Sequence, residues 1–178
     1  MAELAETHDI RHWTDAALVV PYIPRAASLS APDLAEIHRR LMLVGSAVWR
    51  RVFCLCVLAE LSIEAGHPAE GLRALVSIAE AGRQGFLAPE VLRLEGELHL
   101  RSAPSDVSAA ERCFAAAIDL ARRRQEKSLE LRATMSLVKL RRTHGGDDDA
   151  RRALAELYGW FTEGFTTADL IAAKELLA

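Results

Sequence analysis

His8 and His12, in the run His8-Asp-Ile-Arg-His12, stand at the spacing by which one helix face can hold a zinc ion. The usual motif carries Glu directly after the first histidine, whereas Asp9 stands here, and no third ligand is identifiable. His38, His67, His99 and His144 are scattered and read as solvated surface. Cys54 and Cys56 are two residues apart, and a helix points such neighbours in different directions. With Cys113 they read as reduced, buried thiols rather than a metal or redox pair. No Ser-His-Asp arrangement for an activated nucleophile is readable, and the phosphate-cradling loop G-x-x-x-x-G-K-[ST] is absent. The chain is expected to be no enzyme and to use no cofactor or metal.

The remaining charge runs look like helix ends. Arg122-Arg123-Arg124 closes one helical pattern and Asp147-Asp148-Asp149 opens another, where each sign complements the helix dipole. Across the whole chain, 22 basic and 25 acidic side chains leave a net charge of −3, which gives no global field for nucleic acid or an anionic membrane. The start, MAELAETHDI, lacks the basic and apolar regions of a secretory signal, and the most apolar window, Val52 to Ile63, is too short to span a bilayer and contains Glu60. A cytoplasmic protein with neither nucleic acid nor membrane as partner is expected.

The elements that must position these residues are helices. The 178 residues suit one domain, and the hydrophobic fraction of 51% with only 6% aromatic reflects alanine and leucine mixed with Arg and Glu. No run alternates as strands do. A helix over about 50–65 stops at Gly66-His67-Pro68, and a second carries the stripe Leu72, Leu75, Val76. Further pairs are predicted over about 89–101 with 107–124, and 127–143 with 149–160. Aligning the second helices matches Gly71, Ala110 and Ala150, each followed four residues later by Leu75, Phe114 or Leu154. These are the second-helix marks of a tetratricopeptide repeat, in which a small residue admits the partner helix and a large one fills the gap to the next pair. The spacings, 39 residues from Gly71 to Ala110 and 40 from Ala110 to Ala150, exceed the standard ~34.

The expected fold is an all-α, tetratricopeptide-like α-solenoid in one domain, 1–178. It has a divergent first repeat (1–46), repeats over 49–85, 89–124 and 127–161, and a capping helix at 166–178. Ser30-Ala-Pro-Asp reads as a cap and first turn, leading Leu34, Ile37 and Leu41 into the core. The first helix of that repeat is placed within Ile10 to Tyr22, ended by Pro21 and Pro24. Near the C-terminus, Tyr158, Trp160, Phe161 and Phe165 are expected to wedge into the last pair as a clasp, with Gly159 and Gly164 turning the backbone. Thr166 or Thr167 caps the final helix.

From Phe53 to Leu177, AELSIEAGHPAEGL, LRLEGELHL, AERCFAAAIDLARRRQEKSLELRATMSLVKLRR and LYGWFTEGFTTADLIAAKELL resemble the C-terminal tetratricopeptide region of large bacterial signalling ATPases and MalT-type regulators. In that family the repeats follow an ATPase domain, often with a nucleotide cyclase or winged-helix domain. The resemblance implies an interaction module in signalling or transcription, without the hydrolysis that a phosphate loop would supply. In such arrays the exposed side of each first helix lines a concave groove, which selects Glu60 and Glu64, then Arg93, Glu97 and Arg101, then Arg132, Lys139 and Arg142. The groove is expected to run from acidic to basic and to take a protein or peptide partner bearing acidic residues. A small-molecule effector controlling assembly is the alternative. The chaperone-type carboxylate clamp is not reproduced, because its first-repeat positions hold Cys56 and Glu60. Apolar surface around Trp13, Leu18 and Val19, lacking an upstream repeat, is expected to be covered in a homodimer.

Overall fold

The computed structural model describes residues 16–44, 47–78, 80–102, 104–144, 146 and 148–178. Among them there is no strand, and nine α-helices follow one another in chain order. Helix α1, Ala31–Leu43, starts at a capping box: the Ser30 hydroxyl accepts from the Asp33 N–H, and the Asp33 carboxylate accepts from the Ser30 N–H at 2.9 Å. Leu34, Ile37 and Leu41 form its buried stripe. Upstream, Val20–Ser28 is 3-10 helix containing Pro24, with Arg25 off helical geometry. The α-helix predicted there is absent over residues 16–22, because the prolines remove donors and lock φ. Its earlier part, with His8, His12 and Trp13, lies outside the described residues.

Three pairs follow. Helices α2 (Val48–Glu64) and α3 (Pro68–Val76) are joined at Gly66, whose φ of 75° lets the His67 N–H reach back to the Ser62 carbonyl at 2.9 Å. After the single turn α4 (Glu80–Arg83) come α5 (Ala88–Arg101) with α6 (Val107–Arg124), then α7 (Lys127–His144) with α8 (Asp148–Tyr158), and last α9 (Ala168–Leu177). Each pair packs internally, and α5 also touches both α2 and α7. The small and large marker residues Gly71, Ala110, Ala150, Leu75, Phe114 and Leu154 are all buried. Space at the small positions is tight: a Cβ on Gly71 would come 2.6 Å from Leu98 of α5, and one on Gly96 would come 2.5 Å from the Phe114 ring of α6. Glycine therefore sets the helix separation at both places.

The end of the array is covered differently from expectation. Leu170 and Ala173 of α9 are buried with Leu131, Met135, Val138, Ala150, Leu154 and Leu157 of α7 and α8. Tyr158 and Phe161 reach only the margin of that cluster, while Trp160 is 60% and Phe165 46% exposed. The aromatic clasp is therefore corrected: α9 leucine fills the apolar face, leaving Trp160 outside, edge-on to Phe161 at 5.3 Å. Thr167 stands at the start of α9, but its hydroxyl donates to the Gly164 carbonyl instead of capping the helix. Of the residues expected to lie open for a homodimer, Val19 is fully buried and Leu18 partly so in the core with α1 and α2, and Trp13 lies outside the described residues.

Leu170→Ala should cost about 2–4 kcal/mol in a denaturation experiment, through lost burial and a cavity. Trp160→Ala should cost less than about 1 kcal/mol, as exposed positions do. Equal losses would restore the aromatic clasp.

Candidate functional site

The helices α2, α5 and α7 share one face. On α2, Trp49, Phe53, Cys56 and Glu60 recur at intervals of three and four and form a single stripe. On α5 the stripe is Glu90, Arg93, Glu97 and Arg101, and on α7 it is Arg132, Ser136 and Lys139. Glu90 meets Arg132, and one to two turns further along both helices Glu97 meets Ser136, so α5 and α7 run in the same direction.

At the centre lies a continuous ion-pair network. Arg93 grips Glu90 with two bonds, Nε to Oε2 at 3.0 Å and Nη2 to Oε1 at 2.7 Å, and its Nη2 also reaches Glu60 Oε1 at 3.3 Å. Arg132 donates to the same Glu60 oxygen at 2.9 Å and approaches Glu90 Oε1 at 3.1 Å. Glu97 accepts from Ser136 at 2.7 Å and from Arg101 at 2.6 Å, with Arg93 3.8 Å away. The Arg93 side chain is only 11% exposed and that of Glu90 5%. Burial opposes the Arg93 charge, but the bond to Glu90 and the surrounding carboxylates outweigh it and raise its pKa. Glu97 behaves in the same way: burial would raise its pKa, and the bonds from Ser136 and Arg101 hold it below the ordinary value. Beneath them, burial followed by the charges of Glu90 and Glu60 pushes the Cys56 thiol up, making it a poor nucleophile.

Of the residues selected from sequence, Glu60, Arg93, Glu97, Arg101 and Arg132 come together, while Glu64, Lys139 and Arg142 are exposed with no ion pair among the described residues. The expected basic lining is corrected. Three arginines face the three carboxylates Glu60, Glu90 and Glu97, and the centre of the face is neutralised from within. Glu90 and Ser136 were missed, while Cys56, placed beside Glu60 at a groove position, does lie on this face. The signal for Glu90 was its position three before Arg93, at the spacing of a helical ion pair, in the first turn of α5.

At the N-terminal end of the α2 stripe the surface turns apolar. Trp49 is 56%, Phe53 47% and Phe86 57% exposed, and an apolar pocket of about 280 Å³ lies between Val48, Trp49, Val52, Gly82, Phe86 and Leu87. The loop behind it is pinned by Arg124, which donates to the Gly85 and Gln84 carbonyls at 2.7 and 3.0 Å. Arg122 in turn bonds the buried Glu130 at 2.9 Å, so these two arginines do more than complement a dipole. A larger hollow of about 500 Å³ lies between Val20–Ser28 and α1, but the charge lining it is spent locally: Glu36 is held at a pKa of about 2 by bonds from Arg39 and Arg40.

Side chains that could perform chemistry are engaged elsewhere. His38 Nε2 lies 3.0 Å from Ser77 Oγ, but that hydroxyl donates to the Ala74 carbonyl at 2.6 Å and has no proton to give the imidazole. Ser136 and Lys139 share the Ser-x-x-Lys spacing, yet Ser136 donates to Glu97 and Lys139 is exposed. Among the described residues no three His, Cys, Asp or Glu side chains converge as metal ligands, and no helix is long and apolar enough to cross a membrane. No family model, curated protein or solved structure matches the chain.

Arg93→Met should destabilise the fold by about 3–5 kcal/mol at pH 7, because Glu90 is left buried without its main partner. Glu97 has a depressed pKa, so its contribution is present above the ordinary 4.5 and is lost as pH falls through the folded value; denaturation of the wild type at pH 7 and pH 3 should show that loss. His38 gives a separate signal. Burial, then the charge of Arg73, lower its pKa against the opposing pull of Glu70. Its neutral form is the folded form, so stability should fall as pH drops below the ordinary 6.5, and His38→Gln should flatten the profile between pH 7 and 5. An unchanged slope would place the pH dependence elsewhere.

Proposed function

We propose that the chain is a tetratricopeptide-like helical scaffold that binds a segment of another protein on its α2–α5–α7 face, the concave side of such an array, with no catalytic role. The observation that carries this is the apolar pocket lined by the exposed rings of Trp49 and Phe86 at one end of that face, with the exposed Phe53 one turn further along α2. Exposed apolar clusters of this kind mark contacts. The buried marker residues at the 39- and 40-residue spacing support the repeat reading. The resemblance to bacterial signalling proteins supports a regulatory context in the cytoplasm.

The partner is a peptide-like segment that seats an apolar side chain between Trp49 and Phe86 and carries acidic residues toward Arg101, Lys139 and Arg142. A pocket of about 280 Å³ suits one side chain.

The test is affinity capture from a bacterial lysate with mass spectrometry of what is bound. Wild type and Trp160→Ala should capture the same protein, and the double variant Trp49→Ala/Phe86→Ala should lose it while melting within a few degrees of wild type. A protein captured equally by all three would sink the reading.

A further inference from the structure

Two carboxylates meet Arg93 and Arg132, and they are not equivalent. Glu90 is held by both oxygens, its side chain is 5% exposed, and its loss would remove the two-bond partner of Arg93 and a carboxylate 3.1 Å from Arg132. Glu60 reaches them with one oxygen only, at 2.9 Å from Arg132 and 3.3 Å from Arg93, and its side chain is 43% exposed. Arg132 is itself 32% exposed, so the position between the guanidiniums opens to solvent on the Glu60 side.

We propose that Arg93 and Arg132 form a carboxylate-binding position that Glu60 occupies in the free chain, and that an acidic side chain of the partner enters by displacing it. This rests on the reading of the α2–α5–α7 face as the binding face. Charge explains the requirement. Without Glu60 the group of Glu90, Glu97, Arg93, Arg101 and Arg132 carries one net positive charge, and one carboxylate restores neutrality whichever chain supplies it. Exchange of one carboxylate for another changes neither the charge nor the number of charge-assisted bonds at the site, so its cost is that of rotating Glu60 into water, where it is already half exposed. Displacing Glu90 instead would require breaking two buried bonds. Glu60 thus acts as an internal competitor. It keeps the centre neutral when no partner is bound and raises the threshold for acidic segments. Arg101, Lys139 and Arg142, toward the other end of the face, are placed to take further carboxylates from a segment long enough to reach them.

The experiment titrates the full chain with acetylated hexaglutamate amide, and separately with citrate, at low salt by calorimetry. Glu60→Gln removes the competing charge while keeping the side-chain shape, and should bind hexaglutamate at least tenfold tighter than wild type. Adding Arg132→Gln should abolish that gain. Glu60→Asp, which keeps the charge and shortens its reach, should give a smaller gain and serves if Glu60→Gln does not fold. Equal or weaker hexaglutamate binding by a folded Glu60 variant overturns the proposal, and so does a gain for citrate without one for hexaglutamate. No gain, with capture still lost in Trp49→Ala/Phe86→Ala, would remove only the exchange. No binding by any variant, with capture unaffected by those ring substitutions, would remove the binding face itself.

Discussion

A guanidinium as buried as that of Arg93 cannot remain in a helical core without carboxylates, and the arrangement of the interaction face follows from that constraint. Its neighbours come from its own helix, from α2 and, through shared carboxylates, from α7. Three helices contributed by three successive pairs are therefore fixed at once. Hydrophobic packing alone tolerates sliding, because leucine against leucine is nearly as good one step along. The bonds from Arg132 to Glu60 at 2.9 Å and from Ser136 to Glu97 at 2.7 Å, each between two helices, are directional and fix the register of α2, α5 and α7.

The network in turn depends on how closely the pairs approach. Gly71 admits Leu98, and Gly96 admits the ring of Phe114; a methyl group at either position would press against the neighbouring pair or helix. Since α5 carries both Leu98 and Gly96 on the sides away from the interaction face, moving it outward would lengthen the reach from Glu60 to Arg93, which is already 3.3 Å. Small residues on α3 and α5 and paired charges on α2, α5 and α7 are two sides of one spacing condition. This explains how an all-helical chain with few aromatic residues holds a defined face with only modest ring burial.

The parts legible in sequence were those with local causes. The capping box at Ser30, the stop at Gly66 and the alternation of small and large residues on α3, α6 and α8 each act within a few residues, and the helices fall within a few residues of their expected bounds. Two kinds of feature were not legible. Ring content near the C-terminus said nothing about burial, and Leu170 with Ala173 took the apolar face that the rings of Trp160 and Phe165 were expected to fill. The charge balance of the binding face depends on partners far apart in the chain, such as Glu60 and Arg132. Helix geometry puts both on exposed-looking stripes without showing that they meet.

If the α2–α5–α7 face binds a partner as proposed, its neutralised centre and its apolar end divide recognition between two effects. In that reading the pocket beside Trp49 and Phe86 supplies affinity through burial, which is indifferent to sequence beyond size and shape. In the same reading the charges supply selection, because a segment that brings no carboxylate leaves Glu60 in place and gains nothing from the arginines, while one that brings a basic residue meets Arg101, Lys139 and Arg142. Had the arginines been left without Glu60, any anion would have bound, and a slightly acidic protein would carry a permanently attractive patch. On the proposed reading, self-neutralisation converts that general attraction into a requirement that the partner satisfy the apolar pocket and the carboxylate position together.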